Sequence, residues 1–333
     1  MPYSPPFHLT HTMMRLVAEI SESIGNWTAY NHGVLQSLLR RENRIRTIQA
    51  SLAIEQNTLT LEQVTAVIEG KQVLGHPKEI QEVHNALDTY AKMPKWSKGQ
   101  ANDLLNAHRL LMKGLLNDAG QWRSGGAGIY RGEQLVHMAP PASQIPRLMD
   151  QLLEWLEITD AHPLIASAAF HYEFEFIHPF SDGNGRMGRL WQMLILSKWQ
   201  PLLAYLPVET VIKSRQDEYY QAFRRADEQT DCSSFIEFLL QALATSLQEA
   251  ISNTSTEAKT PVETLVKTQV EIKGKTPDRI LYLLAKNGSL TLAEVAENLA
   301  LSKSTVERAV AKMKKEGKLE YVGPRKGGYW QVI

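Results

Sequence analysis

The sequence predicts a mainly α protein: a helical bundle interrupted by one short β-hairpin, then a smaller unit of three helices and a second hairpin. Three observations predict it. Apolar residues recur at the 3.6-residue spacing of amphipathic helices across most of the first 250 positions. Within that span only the stretch 129–138 reads as paired strands. The last sixty or so positions repeat short cap–helix–stop patterns and close on two aromatic-bearing segments around a Gly/Pro/basic tip. At 333 residues the chain has room for two or three domains. Its 43% hydrophobic and 22% charged residues are those of a globular protein. Lys+Arg and Asp+Glu are 36 each, so net charge points to no acidic or basic partner. The single Cys232 excludes an internal disulfide and a cysteine-based zinc site, and fits a reducing compartment. No run approaches the ~18–20 apolar residues of a spanning helix, and Met1-Pro2-Tyr3-Ser4-Pro5-Pro6 does not resemble a signal peptide. The expectation is a cytoplasmic protein with no membrane partner.

The elements follow in order. Helical spacing covers 13–22 and 34–54. Thr60 with Gln63 forms a capping box that opens a helix through Val64, Val67 and Ile68. Further helices are expected over 78–92, 99–116, 143–158 and 162–176. Arg123 to Gly128 breaks the pattern, and the hairpin 129–138 ends at Pro140-Pro141. Leu190 to Lys198 is apolar almost all round, as a helix at the centre of a bundle should be. Two more helices fit 207–226 and 233–251. The polar stretch Ser252-Asn253-Thr254-Ser255-Thr256 is expected to be a linker, and Thr260-Pro261 with Glu263 a fresh helix start. Thr276-Pro277 opens a helix through Ile280, Leu281, Leu283 and Leu284 that stops at Gly288. Thr291 with Glu294, and Ser304 with Glu307, cap the next two, and 319–332 forms a hairpin with Arg325-Lys326 at its tip. Three short helices and a hairpin in this order look like a winged helix-turn-helix. The expected organisation is an N-terminal helical segment over 1–92, a central domain over 93–251, a linker or helix over 252–275 and the winged unit over 276–333.

The chemistry concentrates in His178-Pro179-Phe180-Ser181-Asp182-Gly183-Asn184-Gly185-Arg186-Met187-Gly188-Arg189. Gly183 and Gly185 tolerate positive φ, and successive N–H groups at such a turn form an anion-binding concavity. A helix beginning there adds its positive end. Arg186 and Arg189, three apart, share a helix face from which two guanidinium forks can reach a polyphosphate. Asp182 can hold Mg²⁺ against that polyphosphate, and His178 can take a proton from an attacking hydroxyl. Elsewhere, His162 and His171 lack partners at metal-ligand spacing and read as structural. Glu173 and Glu175, two apart on a helix, do not face one another.

This stretch resembles the signature of the Fic family, H-P-F-x-D/E-G-N-G-R-x-x-R, with every fixed position filled. The resemblance implies a helical Fic domain whose hairpin is a target-aligning flap. It implies a nucleotidyltransferase that moves AMP from ATP to a Ser, Thr or Tyr hydroxyl of a target protein. His178 would be the base, Asp182 the Mg²⁺ ligand, and Gly183, Asn184, Gly185, Arg186, Met187, Gly188 and Arg189 the nucleotide-binding loop, with Phe180 its apolar anchor. Ser51 and Glu55 match the spacing of the Ser/Thr-x-x-x-Glu inhibitory helix of some Fic proteins, although Gln56 replaces the usual glycine. In that case Glu55 pairs with Arg189 and keeps it from a γ-phosphate. Leu135, Val136, His137 and Met138 would lie on the flap beside the nucleotide; the alternatives are a purely structural hairpin and a surface His137. Tyr219 and Tyr220 match the region around the adenine, or are core residues, and Asp227 stands where relatives often carry Asn. Removal of AMP, or transfer of another phosphate-containing group, is the alternative reaction.

In 302–333, eight cations (Lys303, Arg308, Lys312, Lys314, Lys315, Lys318, Arg325 and Lys326) outnumber Glu307, Glu316 and Glu320 by five. DNA contact through a recognition helix from Ser302 to Lys315 is one reading, and protein contact or homodimerisation the other. A DNA-binding regulator whose Fic domain senses nucleotide is the remaining alternative for the whole chain.

Overall fold

The helical periodicity is realised almost throughout a computed structural model. It describes residues 3–30, 35–131, 134–259, 301–322 and 329–332, with positions 277, 280, 281, 284, 290–292, 295, 296 and 299 between them. The described helices of the larger unit are α1 (His11–Tyr30), α2 (Leu35–Ile54), α3 (Leu61–Ile68), α4 (Pro77–Lys92), α5 (Ala101–Leu111), α6 (Ile145–Ile158), α7 (Pro163–Ile177), α8 (Asn184–Trp199), α9 (Val208–Ser214), α10 (Gln216–Gln229) and α11 (Ser233–Lys259). Between α5 and α6, β1 (Gly128–Arg131) pairs antiparallel with β2 (Gln134–Met138), Gly128 opposite Met138, with a register shift between Ile129 and Tyr130. The contacts divide the chain into two compact units, Met1–Thr254 and Ser255–Ile333.

The caps show why these segments begin where they do. The Thr60 hydroxyl accepts the Gln63 N–H while the Gln63 side chain accepts the Thr60 N–H, the reciprocal box expected for α3. His162 caps α7 by accepting the Leu164 N–H, and Pro163 at the first helical position has no N–H to satisfy. Helices α7 and α8 pack on each other at the centre of the larger unit, and both are buried on nearly every face. Trp191 of α8 is fully buried, stacks on Trp96 and donates its indole N–H to Lys98 O at 2.8 Å. An N-terminal arm lies across this core: the Cys232 N–H donates to Pro6 O, and the Tyr3 hydroxyl to the buried carboxylate of Glu173.

Four expectations are corrected. The helix expected over 99–116 ends at Leu111, because the chain turns at Gly114, whose φ is +72°. The single helix expected over 207–226 is two, broken at Arg215, which leaves helical φ/ψ while its guanidinium forks onto Glu218. The polar stretch 252–256, expected as a linker, does contain the boundary between the two units, but it is helical: α11 runs through it to Lys259. Each added residue gains one backbone hydrogen bond, and Ser, Asn and Thr disfavour a helix by only about 0.5 kcal/mol each, so an established helix propagates through them. In the smaller unit, α12 (Lys303–Lys315) is capped by Ser302 rather than Ser304: extended Ser302 accepts the Thr305 N–H, whereas Ser304 already lies inside the helix.

The smaller unit has its own core of Ile280, Leu284, Val295, Leu299, Val306, Val310, Met313 and Leu319. Its strands β3 (Leu319–Val322) and β4 (Tyr329–Val332) pair antiparallel, with Tyr321 opposite Trp330. The expected helix start at Thr260-Pro261 with Glu263, the stop at Gly288, the Glu294 half of the second capping box and the Arg325-Lys326 tip lie outside the described residues. Among the described residues no helix is long and apolar enough to cross a membrane.

Trp191→Ala removes a fully enclosed indole and orphans Lys98 O, so it should lower unfolding stability by about 3–5 kcal/mol. Urea titration checks this as a lower midpoint at unchanged slope.

Candidate active site

α7 arrives at the site buried and must stop there. It does so at His178, which takes left-handed φ 49° and ψ 61° and donates its N–H to Phe174 O. A residue with a Cβ adopts that conformation at a cost of about 1–2 kcal/mol. The turn releases the chain into the loop that precedes α8. The His178 imidazole sits with Nδ1 3.9 Å from Glu175 Oε2 and 3.4 Å from Glu175 O. Burial pushes its pKa below the usual histidine value, and the Glu175 carboxylate opposes that only in part. The neutral, proton-accepting form is therefore favoured near neutral pH. Glu175 itself is lowered: burial pushes its pKa up, but His171, His178 and Arg189 together pull it further down.

The loop is pinned from inside. The Asn184 side-chain amide donates to Phe180 O and its carbonyl accepts the Phe180 N–H, both at 2.9 Å. That side chain is consequently engaged within the loop, and what Asn184 offers an anion is its main-chain N–H. Phe180 is fully buried, as an anchor should be, and stacks on His108 with ring centroids 3.6 Å apart. His108 accepts the Gly120 N–H on Nδ1 at 2.8 Å and reaches Asp182 O with Nε2 at 3.0 Å, so the Nε2–H tautomer ties α5 to the loop. Burial pushes the His108 pKa down to about 4.

Gly183 has φ +85°, and a Cβ there would lie 2.8 Å from Met112 Sδ. It caps α8, whose first N–H groups have no acceptor within the helix. The Gly183 N–H is taken by Asp182 Oδ1 at 2.6 Å, which leaves those of Asn184, Gly185 and Arg186 for an anion. A Cβ on Gly185 would overlap the Glu55 carboxylate, and one on Gly188 would lie 2.9 Å from Glu175 Oε1. Met187 is fully buried beneath this turn.

Both arginines of the loop are buried and already paired. Arg186 reaches Glu82 Oε1 on α4 and Asp182 Oδ1, each at 3.2 Å. Arg189, 3% exposed, donates to Glu55 Oε1 at 2.7 Å, to Ser51 O at 3.0 Å and to Ser51 Oγ at 3.1 Å. α2 presents these groups because of how it ends. Gln56 takes φ 68° and donates to Ala53 O, and the Asn57 N–H donates to Leu52 O, which together make a Schellman turn. Glutamine thus occupies the left-handed position that glycine usually fills, with the turn intact. Glu82 joins the two sides: it accepts from Arg186 on one oxygen and from the Asn57 amide on the other.

Asp182 carries the one loop carboxylate that is half exposed. Among the described residues no three His, Cys, Asp or Glu side chains could hold a metal between them. A single half-exposed carboxylate next to a helix N-terminus would suit Mg²⁺ as one ligand among phosphate oxygens and water.

The outer shell departs further from expectation. His137 is not a surface histidine: it is 5% exposed, with Nδ1 3.0 Å from Asp227 Oδ2 and Nε2 2.9 Å from Phe176 O. Both ring nitrogens face the bundle, so its imidazole is held behind the hairpin. Leu135 and Val136 are in β2, but their side chains lie outside the described residues, and Met138 is exposed. Tyr219 is core, its hydroxyl 3.1 Å from His171 Nε2, while Tyr220 is half-buried. Three groups escaped the sequence reading: Glu82, His108 and Arg123. No spacing marks them, since their roles come from contacts made by separate elements. Glu175, set aside as half of a carboxylate pair, instead faces His171 and His178, one turn away on its own helix.

A profile of the Fic/DOC family matches residues 96–196, and one described as winged helix-turn-helix DNA-binding matches 278–320. The chain is similar over almost its whole length to a Fic family protein from Desulfovibrio desulfuricans G20 of known crystal structure. Identity is 49%, coverage 99% of this chain and 98% of that one, and the TM-score 0.74. Fic-1 from C. elegans shares the fold at 22% identity and a TM-score of 0.61, over 74% of this chain and 73% of its own. Two curated relatives are called protein adenylyltransferase Fic. The one from Nematostella vectensis is 29% identical over 65% of this chain and 50% of its own length. The one from Drosophila erecta is 30% identical over 65% and 43%. The chain thus spans about half the length of these curated relatives or less.

The His108 imidazole makes stability pH-dependent. Above its ordinary pKa of 6.5 the ring is neutral in both folded and unfolded chains. As pH falls towards about 4 the unfolded chain takes up a proton that the folded one refuses, so stability drops by on the order of 3 kcal/mol. Urea unfolding of His108→Gln at neutral pH and at about pH 4.5 should show a smaller acid loss than the parent.

Proposed function

The chain belongs to the Fic family, and from that premise we propose that it is a protein adenylyltransferase, moving AMP from ATP to a Ser, Thr or Tyr hydroxyl of another protein. The observation that carries the proposal is an imidazole, His178, held at one end of a loop whose other end is a helix N-terminus with unengaged N–H groups; burial, which lowers its pKa, favours the proton-accepting form. The phosphates of ATP would lie on the N–H groups of Asn184, Gly185 and Arg186, with the two guanidinium groups at the outer oxygens. His178 would remove the proton of the target hydroxyl. That oxygen attacks the α-phosphorus, the bond to the β-phosphate oxygen breaks, and pyrophosphate leaves. Asp182 would hold Mg²⁺, which supplies positive charge to the polyphosphate. Arg186 stabilises the charge that develops on the leaving group. Half-buried Tyr220, its ring edge-on to that of core Tyr219, would face the adenine.

The same site is held in check. Arg189 cannot grip a γ-phosphate while its Nη2 is engaged by Glu55 and Ser51. α2 is in this reading an inhibitory helix, and the γ-phosphate must displace Glu55 to reach the guanidinium. A charge-assisted hydrogen bond is worth about 1.5–3 kcal/mol, so Glu55→Gly should raise AMP transfer to the chain itself by about 10- to 100-fold. His178→Ala in that background should abolish transfer without changing the urea midpoint. Intact-mass spectrometry after incubation with Mg²⁺ and each nucleoside triphosphate in turn identifies the donor by its added mass. Label from [α-³²P]ATP persisting in His178→Ala would remove the base assignment.

For the smaller unit we propose contact with DNA through α12. Val306, Val310 and Met313 bury one face of that helix, and Arg308, Lys314 and Lys315 are exposed on the remainder. Lys303, Lys312 and Lys318 pair with Glu307 and Glu316, which reduces the charge available to phosphates below the sequence count. A mobility-shift assay with the full chain should show a duplex complex that weakens steeply with salt, and Arg308→Ala with Lys315→Ala should lower the salt slope by about 2. Binding that ignores salt would point to a protein-contact role instead.

A further inference from the structure

Arg123 has no part in the chemistry above, yet its side chain is enclosed, at 4% exposure, and each of its three nitrogens donates to a carbonyl oxygen. Nε donates to His178 O at 2.7 Å, Nη1 to Gly125 O at 2.6 Å, and Nη2 to Pro140 O at 2.7 Å and Ile177 O at 3.3 Å. Its main-chain N–H donates to Pro179 O at 2.9 Å. All these acceptors are carbonyl oxygens. They include the ones that the left-handed turn at His178 strands at the end of α7, where the helix also carries partial negative charge. His137 completes the set, its Nε2 2.9 Å from Phe176 O. Four consecutive carbonyls, 176 to 179, are therefore held by Arg123 and His137. Gly125 lies where the chain enters the hairpin and Pro140 where it leaves, so one guanidinium joins both roots of the hairpin to the catalytic turn.

We propose that Arg123, with His137, is a positioning clamp that sets the register between the β1–β2 hairpin and the His178 imidazole. A target segment lying on the hairpin then brings its hydroxyl to the base at a fixed distance. The proposal rests on the adenylyltransferase reading. Arginine is required because one planar fork must serve carbonyls on three segments, which the point charge of lysine cannot do. A lysine there leaves buried carbonyl oxygens unsatisfied.

The test uses full-length chain carrying Glu55→Gly, with Arg123→Lys or His137→Gln added. His137→Gln is the milder change and keeps the proposal testable if Arg123→Lys destabilises the fold. Three quantities are read: ATP affinity by calorimetry, the rate of AMP transfer to the chain by intact mass, and amide hydrogen exchange. Expected are unchanged ATP affinity, transfer slowed by about 100-fold, and faster exchange in 135–139 and 179–184 together. A side chain with a merely local structural role would loosen one segment without the other, or weaken ATP binding in step with transfer; either result overturns the clamp. Unchanged transfer and exchange overturn it as well. If the Glu55→Gly parent itself transfers nothing from any nucleoside triphosphate, the adenylyltransferase reading fails, and the exchange arm still decides whether the two segments are coupled.

Discussion

The left-handed turn at His178 is the constraint from which the rest of the site follows. A helix as buried as α7 ends in carbonyls with no water to receive them, and those carbonyls must be satisfied by protein. The turn frees them and at once sends the chain into a loop that restarts as α8 within six residues. A negative helix end and a positive helix end therefore lie a short stretch of chain apart. The first is met by an arginine and a histidine from the hairpin side, and the second faces the place where phosphates would lie. His178 sits between them, neutral because it is buried.

Cations taken out of water need partners, and this protein uses two kinds. Arg123 is held by carbonyl dipoles, which fix its position without a counter-charge that could be exchanged. Arg186 and Arg189 are held by carboxylates, from α4 and α2. A carboxylate partner competes with a phosphate for the same donors, whereas a set of buried carbonyls does not. In the proposed reading the distinction separates scaffold from switch: the clamp at Arg123 would persist when a nucleotide binds, and the pair at Arg189 would have to yield. Behind Arg189, fully buried Glu209 on α9 is pushed up to about 7 by burial, against the pull of Arg189 and Arg44. The guanidinium thus faces acidic groups from more than one element.

Much of this was legible in the chain, for identifiable reasons. The loop chemistry is contiguous, so its residues declare one another within a dozen positions. Caps such as Thr60 with Gln63 are local as well, and helix packing only ratifies them. Expectations failed where local signals were outvoted. Ser252 to Thr256 are poor helix formers individually, but a long helix already in place carries them. His137 has the sequence surroundings of an exposed strand residue, and burial came from α7 and α10, which no alternation pattern within the hairpin could announce.

The sequence by itself determined the helical class, the positions of most helices and the place of the signature loop, because periodicity and glycine-bracketed turns act over a few residues. Through its resemblance to a family it also singled out Glu55. The same resemblance named Arg189 as the partner of Glu55, and the structure brings the two together. Only the tertiary structure decided which other distant groups meet: Glu82 with Arg186, His108 with Phe180 and Arg123 with four carbonyl groups. Apart from Gly125, two positions from Arg123, these partners are separated by between 17 and 104 positions. Their pairing is driven by the cost of leaving charge and carbonyl oxygen unsatisfied in a packed interior, a cost that exists only once the chain has folded.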